Sequence, residues 1–300
     1  IGAVGVFALK AGGLGKCCLA SMGKFVIQFT LPCMIFVNIT RGLNASRMPG
    51  WWLIPLIPFG LATLGVFVGF LLSRWDKKIE DKGEFIALTG FQNAGFLPLF
   101  IIAAMFPPAE AEQLFVYTFL YILGADPYMW TLGFKLLNKN LKLKDTFSKV
   151  INPPLVSIVV SVVIALTGLA VYIPETITKS AGMLGNCTIP LAMILLGATI
   201  MENIEAGVRI RPMTIAKMSF AKLLLLPALT ILILHYVKVP PLLGFMIILQ
   251  SAMPPAVTLV VMARVYSDKY GFIGQSLFYI NIISLFTIPV VLTFYNFILG

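Results

Sequence analysis

Thr30-Leu31-Pro32 recurs as Thr188-Ile189-Pro190, Gln92-Asn93-Ala94 as Gln250-Ser251-Ala252, and Tyr121-Ile122 as Tyr279-Ile280, each time at the same offset of 158 residues. Prolines and polar residues that repeat in one register read as a single five-helix unit written twice. An odd number of membrane crossings per unit forces the second copy to insert upside down. That is the inverted-repeat plan of many secondary transporters, with substrate held at the repeat interface near the bilayer midplane. The two repeats take residues 1–150 and 151–300.

Composition supports a membrane reading. Hydrophobic residues make up 59% of the 300 residues and charged residues only 11%, with a mean hydropathy of +0.96. Apolar runs of ~20 residues recur along the whole chain, the length a helix needs to cross a bilayer. A β-barrel would instead alternate in short segments. The expected fold class is therefore an all-α polytopic membrane protein. The net charge of +10 does not point to nucleic acid, because the lysines and arginines fall mostly in loops, as the positive-inside rule requires.

Ten spans are predicted. Span 1 ends near Leu9, and spans 2 to 5 cover about 23–39, 51–73, 85–106 and 114–134. A loop carrying Lys135, Lys139, Lys142, Lys144 and Lys149 separates the halves. Spans 6 to 10 cover about 154–173, 180–201, 212–236, 241–263 and 274–299. The repeat register pairs Pro153 with a position before Ile1, so span 1 is expected to begin upstream of this sequence.

Loops on one side of these spans hold 15 Lys or Arg and loops on the other hold 4. The richer side should be cytoplasmic, leaving both termini outside and the central loop inside. A plasma membrane or bacterial inner membrane is the expected location. Trp51, Trp52, Trp75 and Tyr172 near span ends fit interfacial anchoring.

Two spans carry breaking signals near their middles. Span 4 holds Gln92-Asn93-Ala94-Gly95-Phe96-Leu97-Pro98, and span 9 holds Gln250-Ser251-Ala252-Met253-Pro254-Pro255. Proline removes a backbone donor and clashes with the preceding turn, so both helices should open there. Freed backbone groups cannot face lipid and must be buried in protein or line a watery cavity. Two half-helix N-termini directed at one place favour an anion. The candidate substrate-binding residues are Gln92, Asn93, Gly95, Pro98, Gln250, Ser251, Met253, Pro254 and Pro255. Pro32 and Pro190 form a second repeat-related pair, read chiefly as packing kinks, with a contribution to the cavity wall as the alternative.

Asp126 stands near the centre of span 5, where a carboxylate costs ~2.5–3.5 kcal/mol. Intramembrane ionisable residues are functional candidates by default. Two readings stay open: a carrier of a coupling proton, or a fixed ion pair with Lys222 or Lys217 of span 8. His235, the only histidine, reads as a solvated interfacial residue.

No P-loop, Gly-x-Ser-x-Gly, His-Glu-x-x-His or His/Cys cluster occurs, so neither an enzyme nor an ATP-driven pump is indicated, and no cofactor or metal is expected. Four cysteines at 17, 18, 33 and 187 show no metal spacing.

Asn93-x-Gly95-x-x-Pro98-Leu99 and Ala252-Met253-Pro254 resemble the auxin efflux carrier family, which includes plant PIN and PIN-like carriers and bacterial permeases. Trp130-Thr131-Leu132-Gly133, Ile189-Pro190 and Leu196-Gly197-Ala198 resemble its bacterial members. The resemblance covers essentially the whole chain. It implies ten transmembrane helices in two inverted repeats, with the fourth and ninth broken and crossing, as in sodium/bile-acid symporters and sodium/proton antiporters. Spans 1, 2, 6 and 7 would form a scaffold, and spans 3–5 and 8–10 a transport domain moving like an elevator. A homodimer through the scaffold is similarly implied. The central loop is short, unlike that of the best-known plant carriers, and the doubled Pro254-Pro255 and the acidic Asp126 are departures at the pocket. The function expected is efflux of a small organic anion, a carboxylate. The alternatives are a sodium-coupled anion symporter and a ligand-binding membrane sensor that does not transport.

Overall fold

A computed structural model describes residues 2–11, 15–46, 48–76, 78–79, 81–138, 150–204, 210–266 and 270–299. Most of the central lysine loop, from Lys139 to Lys149, lies outside the described residues. Among those described, every regular element is helical apart from one isolated β-bridge.

The helices are α1 (Gly2–Lys10), α2 (16–42), α3 (Trp51–Trp75), α4 (Lys82–Gly90), α5 (Phe96–Met105), α6 (108–137), α7 (Pro153–Thr167), α8 (175–204), α9 (Pro212–Tyr236), α10 (Pro241–Ala252), α11 (Thr258–Tyr266) and α12 (Tyr270–Leu299). Among the described residues, five stretches are long and apolar enough to cross a membrane: Cys18–Gly42, Trp51–Trp75, Glu175–Ala198, Pro212–Tyr236 and Gly271–Ile298. Their outer surfaces are apolar as well. On α12, Phe286, Val290, Phe294 and Phe297 are all exposed at helical spacing. A stripe of this kind needs lipid against it. The chain is a polytopic helical membrane protein. Trp52, Trp75 and Tyr172 are exposed near helix ends, as amphipathic anchors are.

Prolines shape the helices from within. Pro32 and Pro227 each stand two residues after a π-turn, Val26–Thr30 in α2 and Ala221–Leu225 in α9. A proline has no N–H for the carbonyl one turn back and its ring crowds that carbonyl, so the ladder widens locally. Pro127 lies two residues before a third π-turn, Met129–Gly133 in α6. Pro190 follows the discontinuity at Cys187 in α8.

Several boundaries differ from the predicted ones. Helix α6 begins at Pro108 rather than near 114, because Glu110 and its polar neighbours in the first turn masked the helix start. Asp126 therefore lies roughly 27 Å along a 45 Å helix, past its centre. Helix α7 stops at Thr167 because Gly168 takes a left-handed conformation (φ 74°), and only a 3₁₀ segment, Leu169–Tyr172, carries the chain on towards 173.

The chain divides into two compact units. The first holds Ile1–Pro55, Gly95–Asp126 and Lys149–Glu202; the second holds Leu56–Ala94, Pro127–Ser148 and Asn203–Gly300. In the first unit α2 packs on both α7 and α8. Gly185 permits the α2–α8 approach, since a Cβ there would lie 2.8 Å from the Met34 Cα. Ser157 of α7 donates its hydroxyl to the Pro32 carbonyl at 2.8 Å, tying α7 to the bend of α2. In the second unit α3 and α4 are in intimate contact. A Cβ on Gly65 would sit 2.7 Å from the Thr89 carbonyl oxygen and 2.9 Å from the Gly90 Cα. Small residues that let backbones touch are a common device of membrane helix packing. The core of this unit runs through Phe85, Leu88, Phe91, Met218, Leu223, Leu259 and Leu277.

Candidate functional site: two interrupted helices

The helical run expected over 85–106 is two helices, α4 and α5, with residues 91–95 between them. The run over 241–263 is likewise α10 and α11, with residues 253–257 between them. Pro254 and Pro255 lie within their interruption. Pro98 instead sits in the first turn of α5, where a helix has no use for its missing N–H.

The two interruptions hydrogen-bond to each other within the second unit. Asn93 N–H donates to the Pro254 carbonyl at 2.8 Å, and Ala256 N–H donates to the Phe91 carbonyl at 3.1 Å. These bonds flank an antiparallel bridge between Gln92 and Pro255. In such a bridge the central pair exchanges no backbone hydrogen bonds, so Pro255 occupies the one register position where a missing N–H leaves no ladder bond unmade. Each helix thus satisfies part of what the other's break sets free, which a membrane interior demands.

The side chains add a third link. Gln250, fully buried, donates its Nε2 to the Ala94 carbonyl at 3.0 Å. Among the described residues its Oε1 has no hydrogen-bond partner, and neither does Nδ2 of the buried Asn93. A donor and an acceptor therefore stand unpaired beside the joined breaks. Each unpaired buried group costs ~1–3 kcal/mol, which makes both groups ready for a ligand with polar atoms. Ser251 turns its hydroxyl back to the Ile248 carbonyl at 2.8 Å, and the Met253 N–H reaches the Gln250 carbonyl at 3.3 Å. Gln92 is buried and Met253 fully so. Gly95 and Pro98 belong to the first unit, where Gly95 is the N-cap of α5 at φ −105°, ψ −86°.

Aromatic packing backs this region. Tyr128 lies against Phe59 and Phe91, with ring centroids 4.8 and 6.0 Å away, and shares a 2.8 Å hydrogen bond with the Thr63 hydroxyl.

The intramembrane charges have partners of their own. Lys222, at 1% exposure, donates its Nζ to the Thr89 carbonyl at 3.1 Å. Lys217 forms an ion pair with Asp76, just past the end of α3. That hydrogen bond, with help from the Lys78 N–H, holds the Asp76 carboxyl below the ordinary carboxylate range. Asp126 accepts from Asn152 Nδ2 at 3.4 Å, while Asn152 Oδ1 caps α7 by accepting from the Leu155 N–H at 2.8 Å. Thr89, Phe91 and Asn152 were not anticipated as site residues. The first two act through backbone carbonyls, which leave no side-chain signal. Asn152 does carry one, an Asn directly before Pro153-Pro154 at a helix start.

Interrupted apolar helices joined at polar residues define a membrane transport protein. The chain belongs to the membrane transport protein family, whose model matches residues 1–148 and 139–292; this is the auxin efflux carrier family that the motifs resemble. It is similar to the uncharacterized transporter MJ1031 of Methanocaldococcus jannaschii, with 25% identity over 296 residues, 95% of this chain and 92% of that one. It is also similar to two Arabidopsis thaliana proteins, PIN-LIKES 5 at 22% identity over 325 residues and PIN-LIKES 7 at 21% over 323. For each, 82% of this chain and 81% of the relative are covered.

Proposed function

We propose that the chain is a secondary transporter that carries a small organic anion, a carboxylate, by alternating access, with its site at the crossing of the two interrupted helices. The observation that carries this reading is the unpaired Asn93 Nδ2 and Gln250 Oε1 beside the hydrogen-bonded breaks. A carboxylate accepts from the Asn93 amide, and a substrate hydroxyl or indole N–H donates to Gln250. Backbone N–H groups at the start of α11 add positive potential, since the first turn of a helix leaves its donors free.

The ten spans form two inverted repeats, 1–150 and 151–300, with both termini outside and the central loop in the cytoplasm. Spans 1, 2, 6 and 7 act as scaffold and spans 3–5 and 8–10 as the transport domain, in an elevator-like movement. A cytoplasm-negative potential favours exit of an anion by ~2.3 kcal/mol per charge at 100 mV, so efflux runs without an ion gradient.

The test is uptake of radiolabelled malate, malonate and indole acetate into proteoliposomes at a set potential, with and without sodium and proton gradients. Flux that follows the potential and ignores sodium is expected. Flux that requires sodium would replace this reading with a sodium-coupled symporter; saturable binding without flux would replace it with a sensor.

A further inference from the structure

Lys222 is a deeply buried charged residue of the second unit that the carrier mechanism above leaves unused. It lies near the middle of the 25-residue helix Pro212–Tyr236, within the π-turn Ala221–Leu225. A charged side chain at that depth is costly and has to be compensated. Single π-turns inside α-helices concentrate at functional sites.

Its partner is informative. The Thr89 carbonyl is one residue from the end of α4, immediately before the interruption. In an unbroken helix that carbonyl would accept from the Asn93 N–H, four residues on. Here the Asn93 N–H is turned to Pro254 instead. Lys222 thus supplies the donor that the break removed, at the negative end of the half-helix dipole. The Thr89 hydroxyl is occupied elsewhere, on the Phe85 carbonyl at 2.8 Å, so the contact is to the backbone alone. An ammonium has three donors, and two of those on Lys222 have no hydrogen-bond partner among the described residues.

We propose that Lys222 supplies the positive charge of the anion site: anchored on the broken end of α4, it cancels the negative potential of that helix end and gives the crossing a net attraction for a carboxylate, so that no bound cation is needed. The inference rests on the anion-carrier reading. Lys222 is a positioning residue in this account, acting through its charge and through the α4 end that carries Asn93. A lysine that serves only as a structural cap would stabilise the fold without affecting substrate affinity.

The test measures initial uptake of radiolabelled malate, malonate and indole acetate at fixed inside-positive potential in sodium-free buffer. The full chain is compared with Lys222→Gln and Lys222→Arg, and thermal unfolding of each is followed in detergent. Lys222→Gln should raise KM roughly 10- to 100-fold, the loss of a nearby opposite charge from the site. Lys222→Arg keeps the charge at any working pH and should stay near the wild-type KM. A wild-type KM in Lys222→Gln, with only a lowered melting temperature, would overturn the inference and leave the carrier standing. A folded Lys222→Arg protein without flux would also overturn it, and this variant decides the matter if Lys222→Gln does not fold. Failure of the wild type to move any of the three anions would remove the anion reading and this inference together.

Discussion

The backbone amide of Asn93 donates to the carbonyl of Pro254 across 2.8 Å, joining the two interruptions at the point where both helical runs lose their own ladders. Asn93 has two tasks that a substitution separates. Its main chain closes the bridge, while its Nδ2 has no partner among the described residues. Asn93→Ala keeps the first and removes the second. Deleting an unsatisfied buried group relieves its desolvation cost, so the melting temperature should hold or rise while transport falls at least ~10-fold, the loss expected when a hydrogen bond to a charged ligand goes. Scanning calorimetry beside uptake on one preparation checks both signs.

The register of the bridge predicts an asymmetry between neighbours. Ala256 donates the bond to the Phe91 carbonyl, whereas Pro255 faces Gln92 at a position without backbone exchange. Ala256→Pro should therefore destabilise the protein by ~1–3 kcal/mol, because it strands a buried carbonyl. Pro255→Ala should leave both bridge bonds intact, visible as retained amide exchange protection at Asn93 and Ala256.

Close packing of α3 on α4 should be sensitive to a single methyl group. A Cβ at Gly65 would press on the Thr89 carbonyl oxygen, the same atom that holds Lys222. Gly65→Ala is expected to cost ~1–3 kcal/mol through overpacking. It should also lower transport, which Gly60→Ala, with open space at its Cβ, should not.

How far these features can be read from the chain depends on which atoms carry them. The two breaks are visible beforehand because proline and polar residues in an apolar run are side-chain signals. Their placement was less secure: Pro98 sits inside the first turn of α5, a position that tolerates proline, and the chain leaves the helix upstream at Phe91. The pairing of the breaks was not legible, since it is made by main-chain groups at Phe91, Asn93, Pro254 and Ala256. Lys222 stood out as an intramembrane charge, but its partner is a carbonyl and so could not be read from residue types. Asp126 looked central because the polar first turn of α6 hid the true start of that helix.

The ion pair at the end of α3 predicts a pH signature. Lys217 holds the Asp76 carboxyl below its ordinary range, so the folded protein binds the Asp76 proton less readily than the unfolded chain does. The pair's contribution is present above the unfolded carboxylate pKa of ~4 and is lost as pH falls through the lower folded value. The stability gap between wild type and Lys217→Ala should be constant from neutral pH to about 5 and close below ~4. Both side chains are partly exposed, so the gap is small and should shrink in high salt.

The most direct test of the central claim, that substrate binds where the two interruptions meet, is potential-driven uptake of radiolabelled carboxylate by Asn93→Ala and Gln250→Ala proteoliposomes, run beside wild type and the remote variant Lys179→Ala. The account predicts that the first two lose flux through a raised KM while folded, and that Lys179→Ala, whose ion pair with Glu175 is solvent-exposed, is unchanged. Carboxylate flux with wild-type KM in both Asn93→Ala and Gln250→Ala would contradict it and place the site elsewhere in the fold.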